Sequence, residues 1–122
     1  MADYPGNGLE SVELAALFPP RLKDAVPSDK DLPLTIILHG LLGSANNWRS
    51  VIARPDMLAG RYVCALDLRN HGRSQHAATM TYPEMANDIM QFVDEQVRSG
   101  VDGRVHLVSY VWKHVCNSAC IL

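Results

Sequence analysis

A chain of 122 residues with a formal net charge of −2 has the size of one domain and a near-neutral charge balance. Its 11 basic residues against 13 acidic ones leave no basic footprint for nucleic acid and no polybasic patch for a membrane surface. Apolar residues make up 48% of the chain and charged ones 20%, which excludes a disordered polymer, and no apolar run reaches the ~18 residues of a spanning helix.

The opening MADYPGNGLESVEL carries Asp3, Glu10 and Glu13 and no basic residue, unlike a secretory signal or an Arg-rich presequence. Ser11 to Leu17 fits a strand or a short helix, because so short a run shows no decisive period. Phe18-Pro19-Pro20 ends it, and Arg21 to Asp31 reads as a surface connection that completes an N-terminal segment, 1–31. Leu34 to Leu38 is apolar and rich in β-branched residues, the pattern of a strand buried on both faces. His39-Gly40-Leu41-Leu42-Gly43-Ser44 follows as a turn. Ala45 to Ile52 reads as a helix with Trp48 and Ile52 on one face, stopped by Pro55.

Tyr62 to Leu68 is a second buried strand, with Asp67 near its end, and Arg69 to Ser74 is a loop. Thr81 opens a helix, and Glu84 three residues on completes a capping box. Met85, Ile89, Phe92, Val93 and Val97 form the apolar stripe of that helix, and Gly100 terminates it. Val105 to Val108 is a third buried strand. Strands alternating with helices predict the α/β class, a parallel sheet with helices on both faces.

The cysteines are Cys64, Cys116 and Cys120. Their odd number, and the place of Cys64 in a buried strand, argue against a disulfide framework. Cys116 and Cys120 lack zinc-knuckle spacing even with His114 nearby, so no metal and no cofactor is expected. These features point to a reducing intracellular setting, cytoplasmic by default, with the mitochondrion left open.

Three motifs in order carry a family resemblance. The strand Leu34 to Leu38 runs into His39-Gly40-Leu41-Leu42-Gly43-Ser44. Asn46-Asn47-Trp48 follows. Asp67-Leu68-Arg69-Asn70-His71-Gly72-Arg73-Ser74 has the form D-x-R-x-H-G-x-S. From about Val12 to Val108 the chain resembles the N-terminal half of the α/β-hydrolase superfamily, in the small-esterase branch that includes abhydrolase-domain-containing 11 and YbfF-type enzymes. The resemblance implies a partial α/β-hydrolase fold over 32–108 and cleavage of a small-molecule ester or thioester by a Ser nucleophile, a His base and an acidic partner. It also implies that His39, Gly40, Leu41 and Gly43 form the oxyanion loop, with the Leu41 amide as the donor.

The family's G-x-S-x-G turn belongs directly after Val105 to Val108. Here the chain reads Ser109-Tyr110-Val111-Trp112-Lys113, which places Val111 at the nucleophile position and Ser109 and Lys113 where glycines belong. No G-x-S-x-G occurs elsewhere, and the acidic and His partners that follow it in the family have no counterpart before Leu122. Residues 109–122 form a divergent tail. The expectation is a truncated chain without catalytic residues, inactive as a hydrolase. The alternative is a non-catalytic fragment that pairs with a full-length hydrolase or another protein through an exposed sheet edge. A strand placed centrally in the family would have an open side here, so an unstable or partner-dependent product is expected. The apolar tail could cover part of that surface as a helix.

The remaining polar residues have simpler roles. Ser44, Ser74 and His76 read as cap and turn residues rather than a substitute triad. His39, His71 and His106 read as structural, and Asp67 is placed to brace the turn through backbone N–H groups. Gly40-x-x-Gly43-Ser44 before a helix could cradle a phosphate, but the lysine of a P-loop is missing.

Overall fold

The computed structural model describes residues 10–19, 32–40, 42–58, 61–101 and 103–109. Four strands form one sheet: β1 (Ala16–Leu17), β2 (Leu34–Leu38), β3 (Tyr62–Leu66) and β4 (Val105–Ser109), in the spatial order β1-β3-β2-β4. β2 pairs in parallel with β3 and with β4, whereas β1 pairs antiparallel with β3. The sheet is therefore mixed and mostly parallel: the parallel sheet expected from the alternation is formed by β3, β2 and β4, and β1 joins it antiparallel. The seven residues that fitted either strand or helix yield only the two-residue strand β1, with extended chain before it.

β2 and β3 occupy the middle of this sheet. Every residue of both is buried, as their unbroken apolar runs require. β4 was expected to be buried too, but only its inner-facing residues are partly covered, and Val108 is 46% exposed. Among the described residues β4 is registered against β2 alone, which makes it an edge.

Between β2 and β3 the expected single helix is two pieces: a 3-10 turn over Ala45–Trp48 that runs into α1 (Arg49–Ile52). Pro55 does not stop this helix. It opens the next one, α2 (Pro55–Leu58), because a helix's first turn needs no N–H at that position. The long helix α3 (Tyr82–Arg98) starts at Thr81, whose Oγ1 accepts the Glu84 N–H, and ends before Gly100, at φ +100°. Met85, Ile89, Phe92 and Val93 are buried as expected, but Val97 is 42% exposed in the last turns.

The chain moves from β2 outward to β3, then back across β2 to β4. The two crossovers thus run in opposite directions, α1 and α2 lying in the first and α3 in the second. One apolar cluster joins the strands to Ile52, Met85, Ile89 and Phe92. The Arg21 to Asp31 connection and the tail from Tyr110 lie outside the described residues, as do Cys116 and Cys120.

Candidate active site

In an open α/β sheet the place for chemistry is beyond the carboxyl ends of strands where the winding reverses. Here that place is between β2 and β4, with Leu38 registered opposite Ser109. The loop after β2 thus leaves the sheet beside the end of β4, the strand after which a nucleophile turn would be needed. Of the proposed oxyanion loop, His39, Gly40 and Gly43 are described, and Leu41 lies outside the described residues. Val111 lies outside them as well.

The loop is tight. The Gly43 N–H donates to the Gly40 carbonyl at 2.9 Å, and a Cβ on Gly43 would come within 3.0 Å of that same oxygen. Leu42, between them, is held at φ +63°, a left-handed conformation that a leucine adopts only under constraint, and its side chain is 90% exposed. Ser44 begins the following 3-10 turn. Its N–H donates to Asn47 Oδ1 at 3.2 Å and its carbonyl accepts the Asn47 N–H at 3.1 Å, so it serves as a cap.

Two imidazoles support this loop, with ring centroids 4.8 Å apart. His39 is fully buried. Its Nε2 accepts the Leu68 N–H at 3.0 Å, which leaves Nδ1 to donate to the Gly40 carbonyl at 2.7 Å. Burial lowers its pKa below the ordinary 6.5, and the neighbouring His71 adds to that, against the opposing pull of the Gly40 carbonyl and of Asp67. His71 repeats the pattern: Nε2 accepts the Leu42 N–H at 3.3 Å, and Nδ1 donates to the Arg69 carbonyl at 2.8 Å. Both tautomers follow from the backbone donors that each Nε2 meets.

Asp67 ties the two motifs together. Its Oδ1 accepts the Ala45 N–H at 2.8 Å and its Oδ2 accepts the Arg73 N–H at 3.1 Å, the bracing expected of it. Gly72 makes room: a Cβ there would lie 2.3 Å from the carboxylate, and its φ is +50°. Ser74 Oγ donates to the Asp67 carbonyl and accepts the Ala15 N–H at 2.7 Å. A hydroxyl committed twice to backbone serves the turn.

A buried ion cluster escaped the sequence reading. Arg69, 2% exposed, donates from Nε and Nη2 to Asp88 of α3 at 2.7 and 2.9 Å, and from Nη1 to Glu84. The hydrogen bonds with Asp88 raise the Arg69 pKa further. Asp88 also accepts the Val12 N–H at 2.9 Å, and Arg69 Nη2 donates to the Glu10 carbonyl at 3.1 Å. The cluster anchors the D-x-R-x-H-G-x-S loop to α3 and to the N-terminal segment. Its signal was visible: Asp88 is three residues after Met85 and four before Phe92, on the apolar stripe, where a lone carboxylate requires a partner. Among the described residues no group of three or more His, Cys, Asp or Glu could hold a metal ion, and no helix is long and apolar enough to cross a membrane.

The model of the alpha/beta hydrolase fold family matches residues 33–108, more than half of the chain. The chain belongs to that family. Within this alpha/beta hydrolase, a 61-residue stretch is 44% identical to the sn-1-specific diacylglycerol lipase ABHD11 of Xenopus tropicalis, covering 50% of this chain and 19% of the relative. A 74-residue stretch is 42% identical to a "Probable alcohol acetyltransferase" of Saccharomyces cerevisiae, covering 58% of this chain and 22% of that protein. A solved marine microorganism esterase superposes with a TM-score of 0.57 at 30% identity, over 80% of this chain and 31% of its own. The alpha/beta hydrolase described here thus spans a minor part of the length of each protein it matches.

Proposed function

We propose that this alpha/beta hydrolase chain carries the oxyanion side of an acyl-transfer site for a small-molecule ester or thioester and does not turn over such substrates by itself. The observation that supports the reading is the braced His39–Gly43 loop at the carboxyl end of β2, beside the end of β4. Its role is to present backbone N–H groups, that of Leu41 foremost, to the oxygen that becomes negative as the acyl carbon turns tetrahedral. Losing one such donor costs ~3–4 kcal/mol in the transition state. The names of the relatives support the substrate class, since a lipase, an esterase and an alcohol acetyltransferase all pass an acyl group through such an intermediate.

Attack requires an activated oxygen or sulfur. The position that the family's turn would fill is Val111, which can neither ionise nor add to a carbonyl. Loss of nucleophile and base lowers turnover by about 10⁶ in serine hydrolases. Ser44 and Ser74, the serines that close the two motifs, serve the backbone. The free, buried thiol of Cys64 fits a reducing intracellular compartment. A fluorophosphonate probe tests the proposal. No covalent adduct is expected on the full chain at any serine. Stoichiometric labelling that one serine substitution abolishes would overturn it.

A second reading is a non-catalytic chain that pairs with a full-length hydrolase through β4. The half-exposed β4, registered against β2 alone among the described residues, favours it. Co-elution of the two chains as a complex supports this reading, and separate elution at micromolar concentrations rejects it.

A further inference from the structure

We infer that His71 is the positioning residue of the oxyanion loop and that protonation of its ring releases the loop; the inference rests on the reading of that loop given above. Leu42 sits in the left-handed region at φ +63°, a conformation of leucine that persists only where its surroundings impose it. Two hydrogen bonds do so. One closes the turn from within, from the Gly43 N–H to the Gly40 carbonyl at 2.9 Å. The other reaches in from a different motif, 29 residues away, from the Leu42 N–H to His71 Nε2 at 3.3 Å.

The second bond exists only for a neutral ring. His71 Nδ1 lies 2.8 Å from the Arg69 carbonyl, an acceptor, so the ring proton belongs on Nδ1 and the lone pair on Nε2. A proton added to Nε2 turns that acceptor into a donor aimed at the Leu42 N–H. Two donors then face each other, and the strained Leu42 loses its outside support.

The ionisable groups around the ring are each already engaged by other partners. From the end of β2 the His39 ring stands 4.8 Å away, with its pKa lowered chiefly by burial and both ring nitrogens bound to backbone. From the end of β3 the Asp67 carboxylate, packed against Gly72, is bound to the Ala45 and Arg73 N–H groups. On α3, Asp88 and Glu84 are paired with the Arg69 guanidinium. Each imidazole thus holds one backbone N–H. His39 fixes the Leu68 amide in the interior, and His71 fixes the Leu42 amide at the surface.

The test is a pH titration of the 15N-labelled full chain by NMR. In the unsubstituted chain the Leu42 amide resonance shifts with the same midpoint as the His71 ring C–H, and its exchange protection drops about tenfold across that midpoint, the loss of one hydrogen bond. His71→Gln, whose side-chain oxygen can replace the Nε2 acceptor but does not titrate, holds the Leu42 amide at its high-pH position throughout. His39→Gln leaves the Leu42 titration in place. A Leu42 amide that stays flat while His71 titrates overturns the inference, as does an unchanged Leu42 titration in His71→Gln. The unsubstituted chain decides the matter alone if either variant fails to fold. A probe-reactive serine would overturn the reading of the chain as one that does not turn over substrate and leave this titration as it is, so the two failures are distinguishable.

Discussion

Removing the Asp88 carboxylate is the most informative perturbation of the scaffold. Asp88 and Arg69 are 1% and 2% exposed, and two hydrogen bonds of 2.7 and 2.9 Å join them. Asp88→Ala strands the guanidinium next to Glu84 alone and leaves the Val12 N–H without its acceptor. Breaking a buried ion pair from one side costs about 3–5 kcal/mol, a fifth or more of the ~5–15 kcal/mol that holds a domain folded. Urea denaturation followed by far-UV circular dichroism reads the loss as a lower midpoint at unchanged slope. The double variant Arg69→Met/Asp88→Leu recovers part of it, because no charge is left stranded. Recovery is incomplete, since the Glu10 and Thr79 carbonyls and the Val12 N–H lose partners. A loss below ~1 kcal/mol for Asp88→Ala would refute the reasoning, because a pair so weakly coupled is solvated.

Other expectations concern the loop and the core. Gly72→Ala forces a side chain into the left-handed region and its Cβ onto the Asp67 carboxylate. It therefore destabilises by more than the ~1–2 kcal/mol of the backbone conformation alone, read by the same denaturation. Thr35 Oγ1 is buried without a hydrogen-bond partner, so Thr35→Val, nearly the same shape, is neutral or stabilising by about 1 kcal/mol in thermal melts. Folding holds His39 neutral, with a pKa below the 6.5 of the unfolded chain, so the unfolded state binds the proton first on acidification. Stability from this group is complete above about pH 6.5 and declines as pH falls toward its folded value; His39→Gln flattens that part of the profile. Burial drives the Cys64 thiol far above its usual range, so mass mapping finds Cys64 unalkylated in the native chain and modified only in denaturant.

The sequence carried the strand–helix alternation because β2 and β3 are apolar on both faces and the Thr81 cap is local chemistry. It misplaced the ends of elements wherever tertiary context decides. Pro55 fits a helix start as well as a stop, and only the break after Ile52 selects between them. Val97 shares the periodicity of the stripe but lies in the last turns of α3, where the side chain stays 42% exposed. The apolar run of β4 implied a covered strand, whereas two of its five residues, His106 and Val108, are exposed at an edge. Around the loop after β2, the motifs marked His39, Asp67 and His71, and the structure supplied their connections. Asp67 spans from Ala45 to Arg73, and His71 reaches Leu42, both joining segments far apart in sequence. No pattern of spacing encodes such bonds. The Arg69–Asp88 pair was legible in principle, as a carboxylate on an apolar stripe and an arginine in a motif loop.

The most direct measurement is hydrolysis of a p-nitrophenyl ester by the full chain, purified to homogeneity and freed of co-purifying host esterases. On the proposed reading, in which valine takes the attacking position beside an oxyanion loop, release proceeds at the buffer rate, unchanged by Ser44→Ala or Ser74→Ala. Saturable turnover that follows this chain through purification and disappears with one side-chain substitution would contradict it.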